Sequence, residues 1–161
     1  MKNKIIFGLL VIVSIFAISG CSSKDTSKER TIEYLLDRYV DIYSKADMSA
    51  IEDMFPPFYV EYSKDYITKE KLEKDRNKAK EVYGDDFEVT YKVGNSVKMT
   101  DDELEKLNND MINNYNAKEK ATECYKYEVS IIFKGSKKED PDAMTTMGYC
   151  KYNDTWYLVK V

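Results

Sequence analysis

"CYKYEVSIIF", residues 124–133, alternates without a break. Tyr125, Tyr127, Val129, Ile131 and Phe133 fall on one side of an extended chain. Cys124, Lys126, Glu128, Ser130 and Ile132 fall on the other. Aromatic and β-branched side chains suit a pleated, half-buried surface, so this stretch reads as a strand. Working outward toward the C-terminus, Gly135 to Asp142 is a polar loop containing Pro141. Residues 144–152 and 155–161 then read as two further strands joined by a tight turn at Asn153-Asp154.

Toward the N-terminus, Thr100-Asp101-Asp102-Glu103 has the form of a capping box, and Leu104, Leu107, Met111 and Tyr115 continue as a helical stripe. Before it, Phe87, Val89, Tyr91 and Val93 alternate with polar residues, predicting a strand over 86–93. Gly94-Asn95 marks a kink or bulge ahead of Val97 and Met99. Residues 68–83 read as a helix between a Thr68 cap and Gly84, with a thin apolar face of Leu72, Ala79, Val82 and Tyr83. Residues 29–46 space Ile32, Leu35, Leu36, Tyr39, Ile42, Tyr43 and Ala46 by threes and fours, a single apolar stripe on a helix. Asp47-Met48-Ser49 breaks it, and a short helical turn through Ile51 and Met54 ends at Pro56-Pro57. Helices first and then mostly antiparallel strands make an α+β order: N-terminal helices packed on a curved, mostly antiparallel sheet.

The strand pattern bears on the cysteines. With the loop centred near residue 137, Cys124 and Cys150 fall opposite each other in one antiparallel ladder. Cross-strand Cβ atoms lie about 4.5–5.5 Å apart, so a bridge needs modest adjustment. Two readings stand at this point, a disulfide and two reduced thiols. Catalysis by the pair is not expected, since neither a CxxC spacing nor a neighbouring base is present.

Composition narrows the chemistry. The 161 residues are 43% hydrophobic and 34% charged, enough apolar material for one domain with a modest core. There is no histidine. Ser-His, Cys-His and histidine-metal chemistry are therefore excluded. Setting aside Lys2 and Lys4, 23 of the 25 basic residues remain against 29 acidic ones, a net of −6. That balance excludes the basic footprint of a nucleic-acid partner and a polybasic membrane patch. The acidic pairs Asp85-Asp86, Asp101-Asp102 and Glu139-Asp140 lack the alternating ligand spacing of a calcium loop, so no metal or other cofactor is expected. No Asp or Glu sits in an apolar run that would raise its pKa, and no catalytic residue is assigned.

The N-terminus carries its own signal. Lys2 and Lys4 precede an almost wholly apolar run from Ile5 to Ile18. That length suits the h-region of a signal peptide and is short of the roughly 20 residues that span a bilayer. Ser19, Gly20 and Cys21 follow. Ile18-Ser19-Gly20-Cys21 resembles the lipobox of bacterial lipoproteins, with Ile18 standing where leucine is commoner. The resemblance implies removal of residues 1–20 and attachment of diacylglycerol to Cys21, leaving residues 21–28 as a polar, flexible tether and 29–161 as the folded domain. Two acyl chains make such an anchor stable where one is marginal. The implied location is the outer face of a cell membrane, and the Lys- and Asn-rich composition suits a Gram-positive bacterium.

Over residues 29–161, the element order and the closing "NDTWYLVKV" (153–161) resemble the nuclear-transport-factor-2-like or cystatin-like fold, a curved sheet wrapped around a long helix as a cone. The helix at 101–115 departs from the commonest layout and reads as an insertion or a lid. Family members using an Asp-His pair offer no residues to carry over, because the histidine is missing. Tyr125, Tyr127, Tyr149 and Trp156 are placed to line such a cone and present hydroxyls to a ligand; core packing with one polar end at the rim is the other reading. The expected function is a membrane-anchored extracytoplasmic module that binds a protein, a peptide or a small molecule without catalysis. The alternatives are a small enzyme using a carboxylate or tyrosine in the cone, and a structural partner that covers another protein's surface.

Overall fold

The alternating stretch becomes β2, Glu123–Lys134, an inner strand of a four-stranded antiparallel sheet. β1 (Glu88–Lys98), β2, β3 (Thr145–Tyr152) and β4 (Thr155–Lys160) lie side by side in sequence order. The computed structural model describes residues 30–161; the expected leader 1–20, the tether 21–28 with Cys21, and residue 29 lie outside the described residues. Among the described residues five helices accompany the sheet: α1 (Ile32–Lys45), α2 (Ser49–Met54), α3 (Pro57–Ser63), α4 (Lys69–Tyr83) and α5 (Asp101–Tyr115). The fold is α+β, with helices packed on an antiparallel sheet.

Local chemistry accounts for the boundaries. Thr31 caps α1 by accepting from the Tyr34 N–H, and Thr68 caps α4 by accepting from the Lys71 N–H. Thr100 and Glu103 complete the reciprocal capping box of α5. The β1–β2 register slips between Val93 and Ser96, the bulge marked by Gly94-Asn95. Asn153 and Asp154 both take positive φ (46° and 61°), the backbone of a two-residue type I′ hairpin.

Helix α3 was not expected. Pro56-Pro57 reads as a stop for the preceding turn, yet Pro57 also opens a new helix at its first position, where its missing N–H costs nothing. Helix α4 differs in its packing. Leu72 is its buried residue, while Val82, expected on the apolar face, is 47% exposed. Its C-terminal end is held instead by Tyr83, which stacks on Phe133 at 5.6 Å and donates its hydroxyl to Asp140 at 2.7 Å. Gly135 permits this approach, since a Cβ there would stand 2.3 Å from the Tyr83 carbonyl oxygen.

Both faces of the sheet are covered. On one, Val129 and Leu158 join Leu35, Leu36, Ile51 and Met54 from α1 and α2. On the other, Cys124, Cys150, Tyr152 and Val159 join Leu107 and Met111 from α5. The expectation of α5 as a lid is thereby corrected: the helix is a second core layer. Its buried Asn108 supplies the polar link: Nδ2 donates to the Ala121 carbonyl at 3.0 Å, and Oδ1 accepts from the Ala121 N–H at 2.7 Å.

Helices α2 and α3 lead from one layer to the other. Phe55 and Val60 pack on the first cluster and Phe58 on the second, so the segment passes around the outer edge of β4. Arg30 reinforces that edge, with its guanidinium 5.0 Å over the Tyr157 ring and Nη1 donating to the Asp53 carbonyl at 2.8 Å. Arg38 ties α1 to α2 through Asp41, Asp47 and Asp53 at 2.9–3.1 Å. The outer edge of β1, at the other end of the sheet, has no strand beside it among the described residues.

Candidate functional site

Pro57 sets the start of α3, and helical spacing then places Phe58, Glu61 and Tyr62 on one side of it. That side faces the C-terminal end of α5. There Asn113, Asn114 and Tyr115 end the helix, and Asn116 turns the chain in a left-handed cap conformation with φ 55°. With Lys118 and Glu119 these residues line a cleft of about 590 Å³. The volume lies within the range of small-molecule and peptide-side-chain sites.

The walls are aromatic. Tyr62 meets Tyr115 edge to face at 4.9 Å, Tyr59 lies against Tyr115 at 5.1 Å, and Tyr66 extends the row from Tyr62 at 5.6 Å. Phe58 is anchored from behind by the buried Tyr152 at 5.4 Å. Tyr62 and Tyr66 remain 48% and 59% exposed. Three asparagine amides on the rim each offer a carbonyl acceptor and an NH2 donor. Glu61 and Glu119 against Lys118 leave the lining one charge negative. Flat apolar faces, neutral amides and little net charge suit an uncharged polar ligand or an extended peptide.

The residues singled out by sequence lie elsewhere. Tyr125, Tyr127, Tyr149 and Trp156 are brought together on the sheet face that carries α1. Tyr149 stacks on Trp156 at 4.3 Å with the planes 7° apart; Tyr127 meets Tyr149 edge to face at 5.9 Å; Tyr125 lies 6.0 Å from Trp156. They form an aromatic row, and the 590 Å³ cleft does not include them. Tyr127 and Tyr149 also pack against the α1 core, whereas Tyr125 and Trp156 belong to neither cluster.

Cys124 and Cys150 are register partners with Cα atoms 4.0 Å apart, and they form a disulfide. Both are buried, at 1% and 0% exposure, between the sheet and α5. Cys21 lies outside the described residues.

Two groups of shifted titrations bear on chemistry. Asp47, Asp86, Glu103, Glu123, Asp140 and Asp142 are held below the usual carboxylate range, in each case first by a side-chain hydrogen bond: to Ser49, Ser136, Lys126, Lys98, Tyr83 and Lys92 in turn. Burial pushes the Tyr91 and Tyr152 phenols up to about 12 and raises Tyr39 and Tyr59 as well. Among the described residues, no group of three or more Cys, Asp or Glu is placed to hold a metal ion.

The cleft escaped sequence reasoning because its two walls are about 50 residues apart in the chain and one of them, α3, was unanticipated. The local signal was present in Pro57, Phe58 and Tyr62. Compared with family models, curated proteins and solved structures, the chain matches none of them.

Proposed function

We propose that this chain is a lipid-anchored extracytoplasmic binding module, tethered through Cys21 and holding an uncharged ligand or peptide segment in the α3–α5 cleft without chemical conversion. The carrying observation is the fate of the cysteines. The chain has three. The fold places Cys124 and Cys150 in a buried bridge, leaving Cys21, in its lipobox setting, as the one available for acylation. A structural disulfide also suits an oxidising compartment outside the cytoplasm.

The titration pattern supports binding over catalysis. A carboxylic acid that donates a proton near neutrality needs a raised pKa, and a tyrosine that attacks as phenolate needs a lowered one. The shifted groups here move in the opposite directions.

The test is metabolic labelling with an alkyne-bearing fatty acid in a Gram-positive host, with mass spectrometry of the N-terminal peptide. Label on the wild type, its absence from Cys21→Ala, and a mature chain beginning at Cys21 are the expected results. An unlabelled wild type, or one cut elsewhere, overturns the anchor. For the cleft, Tyr62→Ala is expected to leave the fold intact and abolish thermal stabilisation by neutral oligosaccharides or peptides that stabilise the wild type.

A further inference from the structure

The aromatic row around Trp156 has features that neither the core nor the cleft accounts for. Tyr125 and Trp156 sit outside both core clusters and stay partly exposed. The Trp156 N–H has no hydrogen-bond partner among the described residues. The row also stands where the chain enters the fold, since the Tyr149 hydroxyl donates to the Arg30 carbonyl at 2.6 Å. Cations stand beside it: Lys98 Nζ lies 5.8 Å over the Tyr125 ring, and Lys151 is the cross-strand partner of Trp156. Glu123 and Asp154 pair with Lys98 and Lys151, so the rim is close to neutral.

We propose that the Tyr125–Trp156 surface rests on the membrane–water interface of the bilayer that holds the anchor, fixing how the domain faces outward. This rests on the lipoprotein reading. Arg30 follows Cys21 by nine positions, which at full extension reach no more than about 30 Å. The anchor therefore keeps the root of the domain, and the aromatic row beside it, within roughly one domain diameter of the lipid. Tryptophan and tyrosine concentrate at that interface because one end of each is apolar and the other hydrogen-bonds to water and headgroups. Lysine stems at such a rim lie along apolar surface while their charges stay in water. The attachment is intramolecular, so an affinity too weak to retain a free domain is sufficient once the tether raises the local concentration. The near-neutral rim makes the contact aromatic rather than electrostatic.

Trp156 is the only tryptophan in the chain, which makes the test direct. The full lipidated protein is reconstituted into phosphatidylcholine–phosphatidylglycerol vesicles, with and without lipids brominated high on the acyl chain. A ring seated about 5–10 Å into the headgroup boundary should lose emission about two-fold or more in the brominated vesicles. The loss should persist at about 1 M salt, where the screening length falls to about 3 Å. Tyr125→Ser, with circular dichroism confirming its fold, should weaken it; should that variant not fold, the wild-type quenching and its salt dependence decide alone. Equal emission in both vesicles, or quenching abolished by salt, overturns the docking. The mass of the N-terminal peptide separates the two readings: a peptide without diacylglycerol removes the anchor and the docking with it, and a lipidated but unquenched protein removes the docking alone.

Discussion

Opening the Cys124–Cys150 bridge is the most informative perturbation of the fold. The two residues are separated by 26 positions, and a loop of that length, closed in the unfolded chain, lowers its entropy by an amount worth about 3.5 kcal/mol at 25 °C. Both sulfurs are buried, so reductant reaches them only when the sheet and α5 separate. The oxidised protein should thus resist dithiothreitol in buffer and yield to it in urea. With a urea dependence of about 2 kcal/mol per molar, the reduced protein should unfold at a midpoint lower by about 1.5–2 M. Trp156 fluorescence provides the transition, and thiol titration of each sample establishes its redox state. Cys124→Ala/Cys150→Ala should reproduce the reduced midpoint to within the small loss of buried sulfur. Coincident midpoints for protein with titrated free thiols and protein without them would refute the entropic argument. Free Cys124 and Cys150 in protein secreted to an oxidising medium would refute the bridge itself.

Three further outcomes follow from the geometry. Asn108→Ala strands the buried N–H and carbonyl of Ala121 and should cost about 2–4 kcal/mol in chemical denaturation. Asn108→Asp should be worse as pH rises above the carboxylate range, because it sets an anion against the Ala121 carbonyl that Nδ2 now donates to. Thr100→Ala removes the α5 cap and should cost about 1 kcal/mol, read as a drop in melting temperature with the fold retained. The phenols of Tyr91 and Tyr152 are raised to about 12 from about 10 in the unfolded chain. A raised folded value means stability is fully present below the unfolded value and is lost as pH climbs from about 10 towards 12. The urea midpoint should fall over that window, and Tyr152→Phe should flatten the fall; an unchanged slope in the variant would remove Tyr152 as a contributor.

The strands and their register were legible because period-two alternation is strict in 124–133 and the loop length sets its own midpoint: residue 137 pairs Cys124 with Cys150 as observed. Capping chemistry was equally readable at Thr68 and Thr100, while the Thr31 cap went unread. The second core layer was harder. Leu104, Leu107 and Met111 say that a helix has an apolar face and not which side of a sheet receives it. The cue lay on the supposedly polar face, where Cys124, Ile132, Cys150, Tyr152 and Val159 are all buried. Helix α3 was hidden by the double meaning of proline, which stops one helix and starts another. The cleft followed it out of sight, since Tyr62 and Tyr115 are joined by tertiary packing alone. Tyr125, Tyr127, Tyr149 and Trp156 were brought together, but as a half-buried row on the sheet face and outside the cleft.

The unequal edges of the sheet limit how copies of this chain can add to one another. A strand with an open side behaves like a reactive end, and a sheet with two such ends can grow without limit. Here Arg30, α2 and α3 lie at the β4 end, so among the described residues the one open valence is at β1. Strand pairing between two molecules through β1 uses up both valences at once. Growth by edge addition therefore terminates at two, and a high local density of copies yields pairs where a sheet open at both ends would yield fibres.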